Sequence, residues 1–98
     1  MYTPKIRNKQ TDLLVRALLS LENEEDAYRF LEDVCSIAEL HSISQRMEVA
    51  ALLRQGVTYQ RIAADTGASS ATISRVNRSL TYGADGYNRV LDKFESQE

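Results

Sequence analysis

LRQGVTYQRIAADTGASSATISRVNRSL, residues Leu53–Leu80, reads as the end of one helix, a short helix, a tight turn at Thr66-Gly67 and a second helix. Two short helices joined by a glycine-containing turn make a helix-turn-helix pattern. In DNA-binding proteins the second helix of that motif enters the major groove. Thr58 suits the N-cap of the first helix, Tyr59 to about Asp65, with Ile62 and Ala63 facing inward. Ser69 and Ser70 both suit the N-cap of the second, which the spacing carries to about Leu80. Ile73, either Val76 or Asn77, and Leu80 fall on its inner side. Ser70, Ala71, Ser74, Arg75 and Arg78 fall outward or toward the rim.

Upstream, Ser36 and Glu39 form a capping-box pattern that opens a long helix, roughly Ile37 to Arg54, ended by Gly56. Leu40, Ile43, Met47, Ala50 and Ala51 share one face, while Val49, Leu52 and Leu53 cover much of the rest. A helix apolar over so wide an arc needs cover on several sides, and a chain of 98 residues has few elements to supply it. A second copy is therefore expected, giving a homodimer. Further upstream, Leu13, Leu14, Ala17, Leu18 and Leu21 line one face of a helix from about Lys9 to Leu21. Asn23 caps the next, whose first turn holds Glu24, Glu25 and Asp26, where negative charge complements the helix dipole.

Residues 1–8 read as a loose arm. Downstream, Gly83 breaks the pattern, and Tyr87, Val90, Leu91 and Phe94 mark a last helix, with residues 95–98 expected to fray. No segment alternates apolar and polar residues, so the chain reads as all-α. It reads as one domain over residues 1–98, with the helix-turn-helix at 58–80.

The net charge is −2, but its distribution is uneven. Met1–Leu40 carries five Lys/Arg against eight acids; His41–Leu80 carries five arginines against Glu48 and Asp65; the remainder is acidic again. Positive charge thus gathers on and just before the motif, as a phosphate-binding surface requires. Apolar runs are too short for a membrane span, and the N-terminus lacks a signal-peptide core, so a cytoplasmic location is expected. Cys35 is the only cysteine and reads as a small buried apolar residue. His41, the only histidine, reads as a helix-surface or interface residue. No nucleophile-base-acid set, glycine-rich phosphate loop or metal-ligand spacing is present. Neither an enzyme, a metal site nor a cofactor is expected.

The second motif helix opens with Ser69, Ser70, Ala71 and Thr72. Small side chains let a helix N-terminus approach a groove closely. Its free amides suit phosphate, hydroxyls can bond base edges, and methyl groups can meet thymine. Arg75 and Arg78 follow at one-turn spacing, within reach of phosphate or guanine. Thr58, Tyr59 and Gln60 are placed to clamp the DNA backbone, which positions without specifying sequence. The DNA-contacting set is therefore Thr58, Tyr59, Gln60, Ser69, Ser70, Ala71, Thr72, Ser74, Arg75 and Arg78, and the partner is double-stranded DNA. The alternative is a helical protein-protein interaction module of the transcription machinery without direct DNA readout.

At ALLRQG, TYQRIAADTGA and above all SATISRVNRSL, the chain resembles the bacterial trp repressor superfamily, nearest to its trp repressor-like YerC/YecD branch. The shared words are Ala71, Thr72, Ile73, Ser74 and Arg75, then Ser79 and Leu80. The order and number of helices agree over nearly the whole chain. The resemblance implies a six-helix, intertwined homodimer from whose shared core two helix-turn-helix units project, and a DNA-binding transcription regulator, a repressor. It also implies a possible effector pocket at Gln45, Arg46, Arg75, Val76 and Ser79. Arg75 and Ser79 match the pocket of tryptophan-binding members. Gln45 stands where those members hold arginine, and Val76 where they hold glycine. A valine intrudes on the ligand's space, and Gln45 cannot offer a charged fork to a carboxylate. Tryptophan is therefore not the expected effector: another small molecule, unidentified, or none is.

Overall fold

The structure, a computed structural model, describes residues 1–96. Those residues form six helices and no strand: α1 Lys9–Leu19, α2 Glu24–Val34, α3 Ile37–Arg54, α4 Tyr59–Thr66, α5 Ser70–Tyr82 and α6 Gly86–Glu95. They divide into two units, residues 1–36 and residue 37 onward.

In the first unit, Asn8 opens α1. Its side chain accepts from the Thr11 amide at 2.9 Å, and the Thr11 hydroxyl accepts from the Asn8 amide at 2.8 Å. The expected loose arm is tethered at its end. Thr11 Oγ1 donates to the Ile6 carbonyl at 2.8 Å, and Arg7 pairs with Asp12 at 3.4 Å. α1 stops two residues short of Leu21, because the Ser20 hydroxyl takes up the Ala17 carbonyl at 2.6 Å and closes the last turn. Asn23 caps α2 by accepting from the Asp26 amide at 2.9 Å. Neither α1 nor α2 holds a buried residue. Leu13 is 60% exposed and Leu19 is 81% exposed.

In the second unit, α3 supplies the floor on which α4, α5 and α6 pack. Val49 and Ala50, both toward its C-terminal half, are fully buried. With Ile62, Ala68, Ile73, Val76 and Leu91 they form the core, edged by Met47, Leu52, Leu53, Leu80 and Tyr87. Burying a side chain of the Ile or Leu type contributes about 1.5–3 kcal/mol, so these few residues carry most of the unit's cohesion. The N-terminal half of α3 is open by contrast, with Ile37 90% and Ile43 46% exposed.

α6 is fastened by polar groups as well as by Leu91. Arg54 reaches Asp92 at 2.7 Å and Glu95 at 3.1 Å, and donates to the Asn88 carbonyl at 3.0 Å. Asn88 Nδ2 in turn donates to the Leu80 carbonyl at 3.0 Å. The bond to Asp92 raises the Arg54 guanidinium above its ordinary range, opposed by desolvation and helped by Glu95. α5 continues two residues past Leu80, to Tyr82, and Gly83 ends it. A Cβ on Gly83 would lie 2.5 Å from the Ser79 carbonyl oxygen, so only glycine lets the chain leave the helix this closely. α6 is helical through Glu95, one residue into the stretch expected to fray, because the Ser96 amide caps it on Asp92. Residues 97–98 of that stretch lie outside the described residues.

Ile73→Ala, at a fully buried position, is expected to cost about 2–5 kcal/mol, read as a lower midpoint in chemical denaturation. An unchanged midpoint would show that this core does not hold α5 to α3.

Candidate nucleic-acid interface

The helix-turn-helix is set by a few local bonds. Thr58 caps α4, accepting from the Arg61 amide at 3.2 Å. Gly67 ends α4 in the left-handed region, with φ 74°, a conformation that costs a residue bearing Cβ roughly 1–2 kcal/mol. Thr66 completes the turn. Its hydroxyl donates to the Ile62 carbonyl at 2.7 Å and accepts from the Ala68 amide at 3.1 Å. Ala68 plugs the angle between the helices, only 4% exposed. From α3, Gln45 Nε2 donates to the Thr66 carbonyl at 3.2 Å. The turn is thereby tied to the floor helix as well as to its own two helices.

Ser69, rather than Ser70, caps α5: its hydroxyl accepts from the Thr72 amide at 3.1 Å and meets Thr72 Oγ1 at 3.1 Å. Ser69 and Thr72 thus serve the helix end, which leaves Ser70, Ala71 and Ser74 as the small exposed residues of its outer face. The choice left open between Val76 and Asn77 falls to Val76, which is 2% exposed while Asn77 is exposed. Tyr59 and Gln60 are exposed at the start of α4.

The positive charge divides sharply. Arg54 is spent on α6, and Arg61 pairs with Asp65 at 3.1 Å along α4. Arg7, Arg29 and Arg89 also have carboxylate partners. Arg46, Arg75 and Arg78 are exposed and make no ion pair among the described residues. Of the five arginines that made this segment basic, those three keep their charge for a partner.

The structure does not bring the five residues of the possible effector pocket to one cavity. Gln45, Arg46 and Arg75 line a notch of about 160 Å³ with Ser42 and Thr72. Ser79 lines a separate apolar cleft with Met47, Gly83, Tyr87 and Val90. Val76 lies in the core, where its side chain occupies the space a glycine would leave. Sequence reasoning placed the turn at Thr66-Gly67 but missed the two bonds of the Thr66 hydroxyl, and it missed Ser42 in the notch. A hydroxyl directly before a helix-ending glycine was the available signal for Thr66; Ser42 gave none, because only the packing of α3 on α5 brings it near Thr72. No helix among the described residues is long and apolar enough to cross a membrane.

Known proteins are similar to this chain in fold and in sequence. The structure matches a candidate Trp repressor from Staphylococcus aureus with a TM-score of 0.88 and 47% identity, over 93% of this chain and 91% of that one. It matches a TrpR-like protein from Eubacterium eligens ATCC 27750, also at 0.88, with 54% identity over 93% of this chain and 94% of that one. The uncharacterized protein YerC of Bacillus subtilis strain 168 is 49% identical over 98 residues, covering 100% of this chain and 94% of YerC. The family model described as Trp repressor protein matches residues 9–95. With six helices in this order, the capped turn at Gly67 and that match, the chain belongs to the Trp repressor family.

Proposed function

We propose that the chain is a sequence-specific DNA-binding transcription regulator that works as a homodimer and represses. The observation that carries this reading is the outer face of α5. Small residues Ser70, Ala71 and Ser74 stand exposed at its N-terminal end, and Arg75 and Arg78 follow with no carboxylate to neutralise them. On α4, by contrast, Arg61 pairs with Asp65 at i,i+4. Two free guanidiniums beside small polar residues instead suit a polyanion with readable edges. Thr58, Tyr59 and Gln60 then meet the backbone, while Ser69 and Thr72 hold the helix end that approaches the groove. Membership of the Trp repressor family supports the same reading and the sign of regulation.

The dimer rests on uncovered apolar surface. Leu13, Leu14, Val15, Leu18 and Leu19 of α1 are all exposed, as are Ile37 and Ile43 at the open end of α3. Exposed apolar faces of this kind mark association surfaces. A second copy would cover them and set two α5 helices about one DNA turn, roughly 34 Å, apart. Tryptophan is not the effector in this reading. Val76 fills the core at 2% exposure, and Gln45 is engaged with the Thr66 carbonyl.

Arg75→Ala is expected to weaken binding to a selected operator about tenfold in fluorescence anisotropy, the equivalent of about 1.4 kcal/mol. Sedimentation should still give twice the 11.1 kDa chain mass for both proteins. Unchanged affinity would remove Arg75 from the interface, and a wild-type chain sedimenting as a monomer would remove the dimer. In thermal-shift measurements tryptophan should leave the wild type unmoved, with Gln45→Arg/Val76→Gly as the control; strong stabilisation of the wild type would overturn the closed-pocket reading.

A further inference from the structure

The polar chain around α6 does more than docking that helix requires. Leu91 already seats α6 in the core. Hydrogen bonds and exposed ion pairs add little net cohesion, but they are directional, so what they supply here is placement. The chain centres on Asn88. Its Nδ2 donates to the Leu80 carbonyl of α5 at 3.0 Å and to Asp85 Oδ1 at 3.1 Å, which uses both of its N–H groups. Its backbone carbonyl accepts from Arg54 Nη1 at 3.0 Å, and its Oδ1 lies 3.5 Å from the same nitrogen. Arg54 is the last residue of α3, and its Nη2 is held in turn by Asp92 at 2.7 Å and Glu95 at 3.1 Å. Asp85 is the one non-glycine residue with positive φ among the described residues, at 69°. A glycine would sit there without strain but would offer Asn88 no acceptor.

The contact at Leu80 reaches the reading helix. A helix leaves its last carbonyls unpaired within itself. On α5 the Ser79 carbonyl takes the Gly83 amide at 2.9 Å, and the Leu80 carbonyl is claimed by Asn88 from another helix. Ile73 and Val76 seat α5 on the core, and a rod resting on two neighbouring points can still tilt. Leu80 edges that core, but apolar contact is non-directional, whereas a hydrogen bond to its carbonyl fixes a third point. At about 1.5 Å per residue, Leu80 lies about 6 Å along the axis from Val76, and Ser70 about 9 Å from it the other way. A displacement at Leu80 therefore carries to Ser70, Ala71 and Ser74 at comparable size, and base edges are read only within hydrogen-bond distance. We propose that Asn88 is a positioning residue for the reading helix. With Arg54 behind it, Asn88 braces the C-terminal end of α5 against α3 and so sets the angle at which the N-terminal end meets DNA. It acts through α5, not by touching DNA itself. The inference deepens the DNA-binding reading and rests on it.

Two measurements on the full chain test it, each with wild type, Asn88→Ala and Arg54→Lys. Arg54→Lys keeps a charge for Asp92 and Glu95 but loses the fork that reaches Asn88 as well, and it carries the test if the amide spectrum of Asn88→Ala shows no fold. The first measurement needs no DNA: residual dipolar couplings of backbone amides give the orientation of α5 relative to α3. In the variants the α5 couplings should no longer fit the wild-type orientation, while those within α3 still do. An unchanged orientation overturns the brace. The second is fluorescence anisotropy on a selected operator and on a random duplex at one salt concentration. Operator affinity should fall about tenfold, the size of one base contact, with random-duplex affinity unchanged. A merely structural role lowers the active fraction and weakens both equally, which overturns the inference, as does a changed orientation with an unchanged ratio. A wild type that binds no duplex removes the DNA-binding reading, and the dipolar couplings alone then decide whether Asn88 places α5.

Discussion

The packing of Ile73 and Val76 on Val49 and Ala50 is the constraint on which the rest of the second unit depends. All four are at most 2% exposed, and they join the underside of α5 to α3. A helix has only one way to bury two residues three apart, so this seam decides what α5 shows on its other side. Ser70, Ala71, Ser74, Arg75 and Arg78 are outside because Ile73 and Val76 are inside. Ala50 is fully buried in the same cluster, and its small side chain on the floor lets α5 come close. The turn follows the same logic: Ala68 and Ile62 fill the angle, and Gln45 and Thr66 tie its polar groups down without a buried donor left unpaired among the described residues.

Val76 therefore does two things at once. It contributes apolar contact to the seam, and at 2% exposure its side chain fills its own position between α5 and α3. The notch beside Gln45 is small, about 160 Å³, and is lined by Ser42, Gln45, Arg46, Thr72 and Arg75.

Much of this was legible in the sequence because it rests on local rules. The caps at Asn23, Thr58 and Ser69, the glycine stop at Gly67 and the long α3 follow from residue type and period. The choice of Val76 over Asn77 was not, since both lie within the arc a helical wheel allows and only the position of α3 decides between them. Charge was legible in total but not in availability. Arg54 looks like part of a basic surface until α6 brings Asp92 and Glu95 back to it from about forty residues away, a separation no local pattern encodes. The residues that the resemblance groups as an effector pocket line different places: Gln45, Arg46 and Arg75 the notch, Ser79 the apolar cleft, and Val76 the core.

The central claim is that α5 reads DNA as one of a symmetric pair, and selection of binding sites from a random duplex library by the purified full-length chain tests it most directly. The account predicts enrichment of a near-palindromic sequence with half-sites about one helical turn, roughly 34 Å, apart. Enrichment of nothing, or of a single half-site without its symmetric mate, would contradict it.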